Sequence, residues 1–269
     1  MSVLSGRVLL TGATGGIGGA IARALAPRGP ELILTGRRPE LLEPLAAQLG
    51  ARAIVCDLSR REEMERLVQE AGEVDLLIAN AAARAGGLLT ELSLDEIDRM
   101  LEVNLRAPIA LARGLAPGMV RRGRGHLVFV SSLQGKSATP VASIYCAGKF
   151  GLRGFALALR EDLRGHGVGV SVVAPGFIRD AGMFADSGAA LPPGAGTRSP
   201  DDVANAVIAA VERNRAEIDV APLPLRLGSA ISSVAPALSA AVSRRLGSER
   251  IAHSIVEGQR ESRREPGAS

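Results

Sequence analysis

Val8-Leu9-Leu10-Thr11-Gly12-Ala13-Thr14-Gly15-Gly16-Ile17-Gly18 reads as an apolar strand that runs into a glycine-rich turn and then opens a helix. Glycines at such a turn let the backbone lie close to a pyrophosphate, and the first free N–H groups of the helix supply a partial positive charge. The spacing is TGxxxGxG rather than GxGxxG, and no lysine follows it, which excludes an ATPase-type P-loop. Taken alone, a glycine-rich turn also serves as a tight connection. The strand–turn–helix setting favours a dinucleotide site, with Gly12, Thr14, Gly15, Gly16, Ile17 and Gly18 as its contacts.

Outward from this turn the chain alternates. Short β-rich runs are predicted at Val8–Thr11, Leu32–Thr35, Arg52–Cys56, Asp75–Ala79, His126–Ser131, Gly169–Ala174 and Glu217–Ala221. Helical periods fill 17–28, 39–49, 60–71, 94–121, 143–164 and 200–214. This order predicts an α/β fold, a doubly wound parallel sheet of about seven strands with helices on both faces. Near-continuous apolar strands, Asp75-Leu76-Leu77-Ile78-Ala79 among them, fit burial on both sides. No linker interrupts the pattern, so residues 1–222 are read as one domain. The Gly/Pro/Ala-rich stretch 176–200 is long for a connection and is read as an active-site lid. Residues 223–269 form a C-terminal helical extension whose last dozen residues read as a disordered polar tail.

Composition narrows the function classes. A net charge of +4 and a pI of about 9.8 would suit nucleic acid. Yet the 28 acidic residues are interleaved with the basic ones, and aromatics at 2% leave no platform on which bases could stack. Cys56 and Cys146 form no CxxC, and His126, His166 and His253 are scattered, so neither a metal site nor a disulfide framework is expected. The N-terminus enters a strand within about six residues, without the charged and apolar regions of a leader peptide; the expectation is a cytoplasmic protein.

Tyr145 is the only tyrosine, and it stands four positions before Lys149, one of two lysines among 32 basic residues. Four residues apart on a helix is one face, which brings a phenol and an ammonium together. A phenol has an ordinary pKa of about 10, and bringing it to about 7 takes roughly 4 kcal/mol of preference for the phenolate, much of which an ammonium can supply. Outside a nucleotide-binding context the same spacing would be a half-buried tyrosine beside a surface lysine.

Taken together, Thr11–Gly18, Asp57, Asn80, Asn104, Ser132 and Tyr145/Lys149 resemble the single-domain branch of the short-chain dehydrogenase/reductase family over about residues 5–222. The resemblance implies that Tyr145 is a general acid/base and that Lys149 holds the nicotinamide ribose and lowers the Tyr145 pKa. It makes Ser132 the partner of the substrate oxygen, with Ser131 as its rival. Asn104 would organise a proton relay; alone it also reads as an ordinary helix polar residue. Asp57 would accept from the adenine amino group while Leu58 lines that pocket, although an Asp before Leu-Ser equally starts a helix cap. Asn80, Pro175, Gly176 and Ile178 complete the cofactor contacts. Ala79 and Ala82 depart from the usual Asn-Asn-Ala-Gly, and Asp180 stands where the family often has threonine.

At the end of the second strand, Thr35-Gly36-Arg37-Arg38 lacks the carboxylate of an NAD site and offers Arg37 to a 2′-phosphate. NADP(H) is therefore the favoured cofactor, with NAD(H) second. The implied activity is hydride transfer between nicotinamide and a small-molecule carbonyl or secondary alcohol, in a homo-oligomer. Gln134, Met183 and Phe184 are expected at the substrate pocket. The alternatives are an isomerase or dehydratase on the same fold, and a catalytically silent NADP-binding sensor or scaffold. In the extension, Leu227, Ile231, Val234, Leu238 and Ala241 recur near helical spacing between Arg226 and Arg244/Arg245. They fit peripheral membrane contact through 223–245 or, given Pro236 and the serines, an appendage packed on the body or on a subunit partner.

Overall fold

The computed structural model describes residues 2–83, 87–182, 184–188, 196–237, 241 and 254. Seven strands, β1 (Arg7–Thr11), β2 (Glu31–Gly36), β3 (Arg52–Val55), β4 (Leu76–Ala79), β5 (Gly125–Val130), β6 (Val168–Pro175) and β7 (Glu217–Val220), form one parallel sheet in the order β3-β2-β1-β4-β5-β6-β7. The helices are α1 (Gly16–Leu25), α2 (Pro39–Leu49), α3 (Arg61–Ala71), α4 (Leu94–Leu101), α5 (Ala107–Arg122), α6 (Ser143–Asp162), α7 (Pro200–Glu212) and α8 (Leu223–Val234). The predicted doubly wound sheet is thus the observed one.

Strand periodicity divides the interior into two cores. Val8, Leu10, Leu32, Leu34, Ile78, Val128 and Val173 face one side, where Ile21 and Leu25 of α1, Leu42 of α2 and Val203 and Val207 of α7 cover them. Leu9, Ile33, Leu77, Leu127, Phe129 and Val172 face the other, under Leu67 of α3, Leu111 and Met119 of α5 and Leu152 of α6. Alternate residues of a strand point to opposite faces, so a strand buried on both sides must be apolar throughout. Each fully buried leucine contributes about 2 kcal/mol.

Two predicted helices differ in detail. The 17–28 segment leaves α-helical geometry after Leu25 and closes as a short 3₁₀ turn, Ala26–Arg28, around Pro27, with Gly29 left-handed behind it. The 94–121 segment is not one regular helix, because Glu102–Arg106 widens into a π-helical turn between α4 and α5. Such a turn inserts extra backbone into the helix and re-aims its side chains.

The order reverses between β1 and β4, since β1 continues outward to β2 while β4 begins the other half. The crevice outside the carboxyl ends at that switch point is where this architecture seats ligands. Loops after β1, β4, β5 and β6 all open there. Of the predicted lid, the described part bridges Ile178 to Arg198 and holds a tilted Phe177/Phe184 ring pair at 5.0 Å. Met183 lies outside the described residues, as do Leu238 and the polar tail.

Candidate active site

The glycine turn after β1 owes its shape to two close approaches. Gly12 sits at φ +66, and a Cβ on it would lie 2.7 Å from the Ala81 backbone; a Cβ on Gly18 would lie 2.1 Å from the Gly12 carbonyl. Both positions exclude any side chain. Gly15 precedes α1 with no side chain capping the helix, so the first N–H groups face the crevice without a side-chain acceptor. Thr14 lies against Gly36 at the end of β2, which brings the turn and the Arg37 position to one end of the crevice. Arg37 is exposed there.

Asn80 and Thr11 stitch β4 to this turn. The Asn80 amide donates to the Thr11 and Gly12 carbonyls at 3.1 and 3.2 Å, while the buried Thr11 hydroxyl accepts from the backbone N–H groups of Asn80 and Ala81. The departure at Ala82 is accommodated here: Ala82 is exposed, and the tight contact falls one residue earlier, between Ala81 and Gly12.

Asp57 follows β3, but it does not cap α3; Arg60 occupies that position. Instead the Asp57 carboxylate closes its own turn, accepting from the Ser59 N–H at 3.0 Å and hydroxyl at 2.8 Å, and it meets Arg99 at 3.3 Å. Burial pushes its pKa up, but the Ser59 bonds and Arg99 outweigh that and hold it below the ordinary value. The Leu58 side chain is buried in the core beneath β3.

Across the crevice, Tyr145 and Lys149 both face inward from α6, at 6% and 1% exposure. The Tyr145 hydroxyl lies beside the Ser132 side chain, near enough for Ser132 to lower its pKa. Ser132 lies just past β5, where its hydroxyl accepts from the Gln134 N–H at 3.1 Å and donates to the Pro175 carbonyl at 3.4 Å. Ser131 points the other way and donates to the Lys149 carbonyl at 3.1 Å. Neighbouring residues of extended chain face opposite sides, which puts only one of the two serines against the phenol.

Lys149 donates to the Val130 carbonyl at 2.9 Å, with its ammonium 5.7 Å from the Tyr145 ring centre. Burial without a carboxylate partner lowers its pKa from 10.5 to about 8. Burial also raises the Tyr145 pKa, against a lowering influence from the neighbouring Ser132. The resemblance gives that lowering to Lys149, whose ammonium here donates to the Val130 carbonyl.

Asn104, 1% exposed, projects from the π turn and bonds the Ala83 backbone twice, accepting from its N–H at 2.9 Å and donating to its carbonyl at 3.1 Å. A Cβ on Gly148 would lie 3.2 Å from the Asn104 Cβ, so the turn presses on α6 one residue before Lys149. This is more than an ordinary helix polar residue has to do.

After β6, Gly176 packs against Leu133 and Ala221, and the Ile178 bridge uses the Phe177 carbonyl and Arg179 N–H rather than Ile178's own groups. Asp180 takes the left-handed conformation, φ +66, beside Arg179. A Cβ on Gly16 would lie 2.1 Å from the Ala181 Cβ, so this loop rests on the phosphate turn. Gln134 sits at the mouth, its amide donating to Thr139.

Lys136, missed as a site residue although it is the other lysine of the chain, ties the Ser132 turn to the sheet edge. Its ammonium meets Asp219 at 2.6 Å and Glu217 at 2.9 Å, and Arg153 of α6 makes two further bonds to Glu217. An open groove of about 620 Å³ runs along this β7 edge, away from Tyr145.

Among known families, the profile described as short chain dehydrogenase matches residues 7–191. The chain belongs to that family. It is 37% identical over 251 residues to a protein of Nostoc sp. called ketoacyl reductase HetN, covering 88% of each chain. The 3-oxoacyl-[acyl-carrier-protein] reductase FabG of Rickettsia conorii is 35% identical over 173 residues, 64% of this chain and 72% of that one. Among solved structures, a metagenomic short-chain oxidoreductase in complex with NADP superposes with a TM-score of 0.69 at 34% identity, covering 81% of this chain and 98% of that one. The chain is therefore an oxidoreductase of the short-chain dehydrogenase family.

Proposed function

We propose that this short-chain dehydrogenase is an NADP(H)-dependent reductase of small-molecule carbonyls, with Tyr145 as its proton donor. The observation that carries the proposal is the buried phenol beside Ser132 and an ammonium without a carboxylate partner, across the crevice from a glycine turn that admits no side chain. A protonated phenol is in the right state to give its proton to an oxygen that becomes an alkoxide. Ser132 would hydrogen-bond that oxygen, and Asn104 would anchor the crevice wall next to Lys149 in a proton relay.

The fit to the dinucleotide rests on this chain's own groups. Gly12, Thr14, Gly15, Gly16, Ile17 and Gly18 offer backbone to a pyrophosphate, Arg37 offers a guanidinium to a 2′-phosphate, and Asp57, Leu58 and Asn80 line the way between. Pro175, Gly176 and Ile178 would border the nicotinamide, and Tyr145 and Lys149 its ribose. When bound, NADPH supplies the hydride; the protein aligns donor and acceptor and manages one proton. The ketoacyl reductases among the relatives make 3-oxoacyl thioesters the first substrates to try.

The test is Tyr145→Phe, assayed by nicotinamide absorbance with NADPH and NADH side by side. Turnover should fall by roughly 10³-fold or more, while NADPH binding is kept. Retained activity would sink the assignment, and product formed without a matching absorbance change would point to isomerisation or dehydration. Failure of the wild type on a broad carbonyl panel, despite tight NADPH binding, would favour the sensor.

A further inference from the structure

Along α6, Tyr145, Lys149 and Arg153 stand four residues apart, so one face of the helix carries a phenol, an ammonium and a guanidinium in succession. Arg153 reaches β7, where it makes two hydrogen bonds to the Glu217 carboxylate at 2.7 and 3.1 Å. The second of those oxygens is shared, since the Lys136 ammonium lies 2.9 Å from it. Asp219, two residues further on and so on the same face of β7, meets that ammonium at 2.6 Å. Two cations and two anions, all largely buried, are thereby locked into one network.

The other end of the network is the turn that carries Ser132. Leu133–Gly135 form a single 3₁₀ turn, capped by Ser132 at its start and by Lys136 at its end, where the Lys136 N–H donates to the Leu133 carbonyl. So short a 3₁₀ turn has little rigidity of its own, and its placement is set by what holds its ends. On one side it is wedged against α6: a Cβ on Gly135 would lie 2.7 Å from the Ser131 hydroxyl and 2.8 Å from the Lys149 carbonyl oxygen. On the other it is tied by Lys136 to β7. The helix α8, which keeps its apolar stripe of Leu223, Leu227, Ile231 and Val234 exposed, adds a third tie, with Ser233 donating to the Lys136 carbonyl at 3.2 Å. Ser132 and Tyr145 thus belong to two elements that meet at one carboxylate, Glu217.

We propose that Lys136 is a positioning residue for the reaction: through Glu217, Asp219 and Arg153 it sets Ser132 against Tyr145, so that both reach the same substrate oxygen. This rests on the reading of Ser132 as the partner of that oxygen. The experiment measures kcat and KM for Lys136→Met, Ser132→Ala and the double variant, with NADPH and the panel carbonyl that the wild type reduces fastest, and a melting curve checks that each variant folds. Lys136→Met should lower kcat roughly 100-fold and leave KM within about threefold, as expected for a group displaced rather than removed. In the Ser132→Ala background the same substitution should lower kcat by no more than about threefold, because the group it positions is gone. Where Lys136→Met does not fold, Asp219→Asn, which leaves Lys136 its Glu217 contact, takes its place in the cycle with a loss of about tenfold. Equal factors lost in both backgrounds overturn the positioning role, as does a Lys136→Met kcat within about twofold of the wild type while Ser132→Ala is impaired; both leave the reading of Ser132 standing. A Ser132→Ala variant as active as the wild type overturns that reading and the positioning role with it.

Discussion

The two lysines of this chain occupy contrasting regions. Lys136, at the β7 edge, is 8% exposed and has two carboxylates within 2.9 Å. Lys149, in the crevice, is 1% exposed and has a peptide carbonyl. A buried ammonium paired with carboxylates spends its charge inside the protein and fixes geometry. One left on a neutral carbonyl carries a desolvation cost that only an incoming ligand or a proton loss relieves, and such groups concentrate at functional sites. The same residue type is a clamp in one region and a reagent in the other.

Substituting each lysine by methionine sharpens that contrast. Lys149→Met should lower kcat by about 10³-fold and, at pH 7, stabilise the fold by up to about 3 kcal/mol, the cost of a pKa lowered from 10.5 to about 8. The sign follows from linkage: between pH 8 and 10.5 the unfolded chain binds more protons at Lys149 than the folded chain. Wild-type stability therefore rises with pH through that window, and the variant should lack the rise. Lys136→Met should destabilise by about 3 kcal/mol, because Glu217 and Asp219 lose their shared cation. Denaturant melts at pH 7 and pH 10 read both signs, and equal signs would break the comparison.

Arg37→Ala tests the far end of the crevice. The preference for NADPH over NADH in kcat/KM should fall about tenfold, with stability unchanged because the side chain is exposed. The smallest effect concerns Glu217. Burial raises its pKa, but the hydrogen bonds from Arg153 and Lys136 dominate and hold it below 4.5. Its stabilising contribution is present above pH 4.5 and lost as the pH falls through the lowered value. Glu217→Gln should flatten that acid limb of a pH–stability curve, though the variant starts less stable at pH 7.

The sheet was legible because its strands are buried on both faces, so every residue of Leu76–Ala79 or of Leu127–Val130 must be apolar. The glycine turn was legible because no other residue fits Gly12 or Gly18. The choice between Ser131 and Ser132 rested on spacing, whereas the structure separates them by the side of the chain each faces. The role of Lys136 was not legible: its partners lie 81 and 83 residues away, beyond any local pattern. Nor was the π turn at Asn104, since the helical period of the sequence looks the same whether or not one turn widens.

The stripe on α8 draws the same boundary. Sequence by itself determined that Leu227, Ile231 and Val234 share a face, as it determined the succession of strands and helices along the chain and the 145/149 pairing, because these follow from local periods and local sterics. Only the tertiary structure decided that the α8 stripe faces outward, that the Lys149 ammonium meets a carbonyl while Lys136 meets carboxylates, and that the Tyr145 phenol is buried. Periodicity specifies which side chains travel together; what they meet, and so the charge they carry, depends on long-range contacts and on the water those contacts exclude.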